Sequence, residues 1–218
     1  MHIRPAILFV LLFALLLPVP AHAMTAAELS SRVQECYDKT RDLRADFTQV
    51  STVKAMRMKK EGKGTLIIKK PGLLRYTYTK PEKQELIVRG EDMLMYTPSS
   101  NQAVKKTLSR TVMDKTPTTF LAGLGRITDS FSVRIPAAGG HDRDGHLLLE
   151  LLPKGEKMGV ADVVLGLDPV TYGIVSFTFT DTSGNTNAIT LKNVKINGGV
   201  EDRSFNLALP RGTNVTAE

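Results

Sequence analysis

The sequence predicts a single mostly-β domain, an antiparallel sheet of about ten strands that must curl at that size, with helices against its concave side. Two observations carry this. After one amphipathic helix near residue 26, apolar and polar residues alternate in short runs down the rest of the chain. Gly, Pro, Asn and Asp punctuate those runs at hairpin intervals, which suits one sheet with a packed face and a wetter face. No linker, low-complexity run or repeat interrupts residues 24–218, so they are read as one domain.

Residues 1–23 read as an address. Met1 to Arg4 is positively charged, residues 5–20 are almost wholly apolar, and Ala21-His22-Ala23 offers small residues at the −3 and −1 positions of a cleavage site. That is the three-part pattern of a secretory signal peptide. The apolar run is short of the roughly 20 residues a spanning helix needs. Cleavage after Ala23 is expected, and with no cysteine at the cut, lipid attachment is not. The mature chain has 195 residues and a net charge of +6 once Arg4 has left. Its one cysteine, Cys36, has no partner for an internal disulfide and reads as a small apolar group on a helix. The basic balance suits an acidic partner or an anionic membrane surface, and an exported protein seldom meets nucleic acid.

The elements follow in order. Thr25-Ala26-Ala27-Glu28 is a capping box, and Leu29, Val33, Cys36 and Tyr37 follow at helical spacing, predicting a helix over Ala26–Lys39. From Leu43 the period becomes two, with Leu43, Ala45 and Phe47 alternating with Arg44, Asp46 and Thr48. Met56 and Met58 lead toward a turn expected at Gly62-Lys63-Gly64, then Leu66 and Ile68 toward a turn at Pro71-Gly72. Leu74, Tyr76 and Tyr78 share one face of the next strand. Leu86 and Val88 precede a turn at Gly90, Leu94 and Tyr96 precede Pro98-Ser99-Ser100-Asn101, and Ala103 and Val104 begin another strand. Thr116 to Gly125 has a threonine cap, an early proline and a final glycine, predicting a short lid helix carrying Phe120, Leu121 and Leu124. Further strands are expected at residues 131–133, 146–152, 160–167, 173–180, 188–196 and 204–209. Their turns are marked by Asp144-Gly145, Asp168-Pro169 and Ser183-Gly184-Asn185.

Catalytic chemistry is not signalled. His141 and His146 sit in the hexapeptide HDRDGH, whose spacing fits neither a calcium loop nor a helical histidine pair, so it reads as a polar turn and not as a metal site. There is no G-x-S-x-G elbow and no phosphate-cradling glycine loop, no cofactor is implied, and carboxylate pairs such as Glu91-Asp92 fall in turns. The stretch KKPGLLRYTYTK at residues 69–80 mixes cations and rings as a nucleic-acid surface does. Strand alternation, however, puts Leu74 with Tyr76 and Tyr78 and sends Arg75 to the other face. The rings therefore face an apolar interior, and Lys69, Arg75 and Lys80 read as solvated charges.

The ordered series Phe47-Thr48-Gln49, Gly64-Thr65-Leu66, Lys69-Lys70-Pro71, Arg75-Tyr76, Gly90, Leu94 to Pro98, Gln102 and 117–121 (PTTFL) resembles the LolA-type periplasmic lipoprotein carriers. Phe177, Asp181, Gly184, Asn185, Phe205 and Pro210-Arg211-Gly212 continue the resemblance to the end of the chain. It implies an incomplete, half-open β-barrel whose concave apolar face is covered by helices. The implied function is that of a monomeric, non-enzymatic carrier in the periplasm. Such a carrier takes lipoproteins released by an ATP-driven inner-membrane transporter, shields their acyl chains and passes them to an outer-membrane acceptor. The implied acyl-binding lining is Phe47, Leu66, Ile68, Leu74, Tyr76, Tyr78, Leu86, Val88, Leu94, Tyr96, Phe120 and Leu121. Lys70 stands where the family usually has an arginine that bonds the lid helices and helps set release, Arg89-Gly90 replaces the family's Asp-Gly turn, and Tyr76 replaces a common tryptophan. An envelope-stress sensor that detects lipoproteins is the alternative, since such modules reuse a similar half-barrel. A sensor usually carries a second domain, and the end of this chain soon after its last strand favours the carrier.

Overall fold

A computed structural model describes residues 24–108, 126–154 and 159–217. The leader and the helix expected at residues 116–125, with Phe120 and Leu121, lie outside the described residues. The chain opens with α1 (Ala26–Lys39). The capping box is present, the Thr25 hydroxyl accepting from Glu28 N at 3.2 Å while the Glu28 carboxylate accepts from Thr25 N at 2.8 Å. These bonds satisfy amides that the first helical turn leaves without partners.

Among the described residues twelve strands follow and form one sheet. They are β1 (Asp42–Val53), β2 (Met58–Lys69), β3 (Leu73–Lys80), β4 (Gln84–Arg89), β5 (Asp92–Thr97), β6 (Gln102–Thr107), β7 (Phe131–Arg134), β8 (Leu147–Pro153), β9 (Val160–Leu167), β10 (Ile174–Asp181), β11 (Thr186–Ile196) and β12 (Asn214–Ala217). The spatial order is β12-β6-β5-β4-β3-β2-β1-β11-β10-β9-β8-β7. All neighbours are antiparallel except β12, which lies parallel to β6. A one-turn helix, α2 (Ile127–Ser130), leads into β7, and the Ile127 amide donates to the buried Gln34 side chain of α1 at 3.0 Å.

The sheet has an apolar concave face and a second, smaller apolar cluster behind it. The main core takes Ala45 and Phe47 from β1, Leu66 and Ile68 from β2, Leu74 and Tyr76 from β3, and Leu165, Phe177 and Leu191 from the far half, with Leu29 and Val33 of α1 packed on top. Each of the Leu, Ile, Val and Phe side chains among them contributes about 1.5–3 kcal/mol on full burial. The cluster behind joins Ile87 and Phe205, with Leu73, Ile67 and Leu207 around them.

Three expectations change. The chain reverses at 54–57, and β2 runs straight through Gly62-Lys63-Gly64. Glycine at 64 serves a close approach, since a Cβ there would stand 1.9 Å from the Thr77 carbonyl oxygen. Residues 204–209 are not a strand: a 3-10 turn over Asp202–Phe205 begins a strap across the back of the sheet. The Arg75 guanidinium donates to Ser204 O at 2.8 Å and pairs with Glu85 at 2.9 Å, so Arg75 is a clamp and not a solvated charge. Lys69 likewise pairs with Asp202.

Candidate functional site

The aromatic row of β3 lies in the hollow, as alternation predicted. Phe47 meets Tyr76 and Tyr78 edge-on, at centroid distances of 5.2 and 5.0 Å, and the two tyrosines stack at 6.0 Å. Leu74 and Leu66 are fully buried beside them. Burial raises the Tyr76 and Tyr78 phenols, and the Tyr78 hydroxyl donates to Gln49 at 2.7 Å. Val88 belongs to the same core, with Leu86 half-buried against it.

Leu94 and Tyr96 are corrections. Leu94 pairs with Ile87 and Tyr96 with Glu85, on the face behind the hollow. The inward residue of β5 at this level is Met93, which pairs with Val88 and packs on the main core. The strand carries apolar residues on both faces, so alternation alone could not assign its sides.

The open part of the hollow is a cavity of about 310 Å³ between the C-terminal half of α1 and the β9–β10 turn. Such a volume falls in the range of about 300–1,000 Å³ usual for small-molecule pockets. Leu43, Ile68, Leu191 and Val194 are in its walls, Val33, Cys36 and Tyr37 line it from α1, and Tyr172 and Ile174 from the turn and β10. Cys36 is thus half-buried at the cavity wall, and burial pushes its thiol up. The sequence pattern hid Val194. Asn193 adopts φ +53° at a bulge and donates to Asp46 at 2.7 Å. The extra residue lets both Leu191 and Val194 line the cavity, where strict alternation would separate them. Tyr172 was hidden too, being a turn residue with φ +59° that folds back beneath Arg32 of α1, 5.9 Å from its ring.

Lys70 closes the same end. Its ammonium stands 3.1 Å from the centroid of the Tyr37 ring and donates to the Tyr37 carbonyl, in the last turn of α1. A cation is favoured at that end of a helix dipole, and the ring face adds a second attraction. Burial pushes its pKa down from 10.5 to about 8, against the opposing pull of Asp38. The ammonium state still dominates at neutral pH.

The histidine turn holds itself together. Asp142 accepts from Asp144 N and His146 N at 2.9 Å each and from the His146 ring at 2.8 Å. Asp142, Asp144 and His146 do bring three donor atoms within 4.8 Å of one another, but the Asp142 oxygens are engaged within the turn. No helix among the described residues is long and apolar enough to cross a membrane.

The sequence profile of the family described as "Outer membrane lipoprotein carrier protein LolA" matches residues 38–208. An outer-membrane lipoprotein carrier protein of Methylococcus capsulatus is 28% identical over 185 residues, covering 85% of this chain and 86% of the relative. One from Dechloromonas aromatica is 26% identical over 218 residues, covering 100% and 99%. In fold, an uncharacterized conserved protein from Thermus thermophilus superposes with a TM-score of 0.56 at 15% identity, over 88% of this chain and 99% of that one. With the family profile matched over most of its length and relatives aligned end to end, the chain belongs to the LolA family of outer-membrane lipoprotein carrier proteins, carriers and not enzymes.

Proposed function

We propose that the cavity beside α1 receives lipoprotein acyl chains in the periplasm. Cleavage after Ala23 releases a carrier domain over residues 24–218. It is loaded by an ATP-driven transporter of the inner membrane and unloaded by an acceptor in the outer membrane. Family membership supports lipoproteins as cargo. The observation that carries the site is an apolar cavity left open in an otherwise filled core, with the Lys70 ammonium at its edge. An acyl chain exposes about 0.8 kcal/mol per methylene to water, so it must be covered throughout its passage.

Val194→Glu tests this. Val194 is only partly buried, whereas Leu74 is fully buried and a carboxylate there would break the core itself. Protein purified from the periplasm is expected to carry acylated lipoprotein detectable by mass spectrometry, and Val194→Glu to carry at least roughly tenfold less with an unchanged circular dichroism spectrum, because a buried carboxylate must stay hydrated. Equal loading of the variant would remove the cavity from the acyl path.

A further inference from the structure

On its β3 side the β1–β2 hairpin outruns its neighbour, while β11 accompanies β1 as far as Thr52. Pairing of β2 with β3 ends at Lys63 opposite Lys80, so Met58 to Gly62 pair only with β1. Five residues of strand reach about 17 Å. At the tip Met56 is 68% exposed, Met58 59% and Val53 38%, three of the seven exposed large hydrophobics among the described residues. Val53 and Met58 are directly paired across the hairpin. An exposed apolar cluster of this kind is not needed for folding and marks a contact surface.

The charge around it has one sign. Residues 53–63 hold Lys54, Arg57, Lys59, Lys60 and Lys63 against Glu61 alone. Among the described residues none of those five cations has an ion-pair partner. Asp181 in the neighbouring turn forms no ion pair with them, its carboxylate accepting instead from the amides of Ser183 and Asn185 and from the Asn185 side chain. The tip is also held in place, with Lys54 N donating to Asn185 at 3.0 Å and Arg57 N to Lys54 O at 3.2 Å.

We propose that this hairpin tip seats on an anionic bilayer, its methionines entering the headgroup boundary while its cations lie against lipid phosphates. Unbranched thioether side chains are suited to an irregular apolar boundary, and clustered lysines and arginines are attracted by a negative surface potential. The chain's net charge of +7, or +6 after cleavage, adds to that attraction. Docking does not depend on the acyl cavity, which lies at the opposite end of β1 beside Leu43.

The sequence has no tryptophan, so Met56→Trp gives a single local reporter. Val170→Trp, on the exposed β9–β10 turn at the opposite end of the sheet, is its control. Vesicles of phosphatidylglycerol and phosphatidylethanolamine are expected to blue-shift the Met56→Trp reporter but not the Val170→Trp one, and phosphatidylcholine vesicles neither. Co-sedimentation with the anionic vesicles should be lost at roughly 1 M salt, where the Debye length is about 3 Å. Met56→Ser with Met58→Ser, and separately Lys54→Gln with Lys59→Gln and Lys60→Gln, should each weaken partitioning roughly tenfold at unchanged melting temperature. Equal partitioning of these variants and wild type would overturn the proposal, as would equal response of both reporters. A Met56→Trp reporter that ignores vesicles yet responds to polyglutamate would assign the tip to an acidic protein surface and overturn it also. The vesicles hold no lipoprotein, so failure here leaves the cargo reading intact.

Discussion

Lys70 is costly to bury and yet sits where its charge has most to do. Folding moves its pKa from 10.5 to about 8, chiefly by desolvation. Between those pH values the unfolded chain binds more protons than the folded one, so this group makes stability rise with pH across that window. Cys36 works in the opposite direction, because its raised pKa makes stability fall as pH climbs through the thiol range. The difference between wild type and Lys70→Met isolates the lysine. The stability of wild type relative to Lys70→Met should therefore rise between about pH 8 and pH 10.5 and be level below about pH 8. Urea unfolding at several pH values reads this directly, and a gap independent of pH would show that the ammonium is as well solvated in the fold as out of it. Arginine at this position would stay charged throughout.

The strap behind the sheet depends on a few polar clamps around one aromatic anchor. Arg75 holds Ser204, Arg89 donates to Asn206 at 2.7 Å, and Phe205 fills the rear cluster. Arg75→Ala leaves Glu85 to Thr77 alone and frees the strap while leaving the β-ladder whole. Limited proteolysis should then cut within residues 198–213 several-fold faster than in wild type, with the main core still resistant; unchanged cleavage would mean that Phe205 and the clamps from Arg89 and Lys69 suffice. The strap also shows where the sequence was readable. α1, the β3 row and the hairpins at Gly90 and Gly184 followed from capping, period and turn chemistry, all local signals. Phe205 and Leu207 alternate as a strand does, but their partners are side chains on the back of the sheet and not a neighbouring strand. The hidden part of the cavity had the same cause: Val194 enters through a bulge, and Tyr172 through a left-handed turn residue, both fixed by contacts distant in sequence. Gly64 misled for a related reason, since a glycine that admits a neighbouring backbone looks the same in sequence as one that reverses the chain.

At the scale of the whole molecule, the cavity is bounded by a hydrogen-bonded sheet on one side and by a helix held through side-chain contacts on the other. Among the described residues the sheet is twelve strands in one hydrogen-bonded order, whereas α1 is held by buried Leu29 and Val33, by Asn197 donating to Lys39 O at 3.0 Å and, at the cavity end, by two ties, the Lys70 contacts to Tyr37 and Arg32 over Tyr172. Both ties join a cation to a ring across the cavity end, and such contacts are worth about 0.5–2 kcal/mol each. With acyl chains in this cavity, as proposed above, ties of that size are small enough for a chain to displace and large enough to bias the empty form toward closure. A ligand shifts such a balance only by its differential affinity for the two states, so energy stored in the closed empty form opposes retention of cargo. Lys70→Leu removes one tie and adds apolar surface to the cavity edge. It should accept lipoprotein as well as wild type does and hand it on several-fold more slowly, because closing the empty form no longer helps expel the chain. Separate acceptance and release assays, with inner-membrane vesicles as donor and outer-membrane vesicles as acceptor, distinguish the two steps. Release at the wild-type rate would mean that the Lys70 contacts only fasten α1 and take no part in transfer, leaving Arg32 and Tyr172 as the tie to test next.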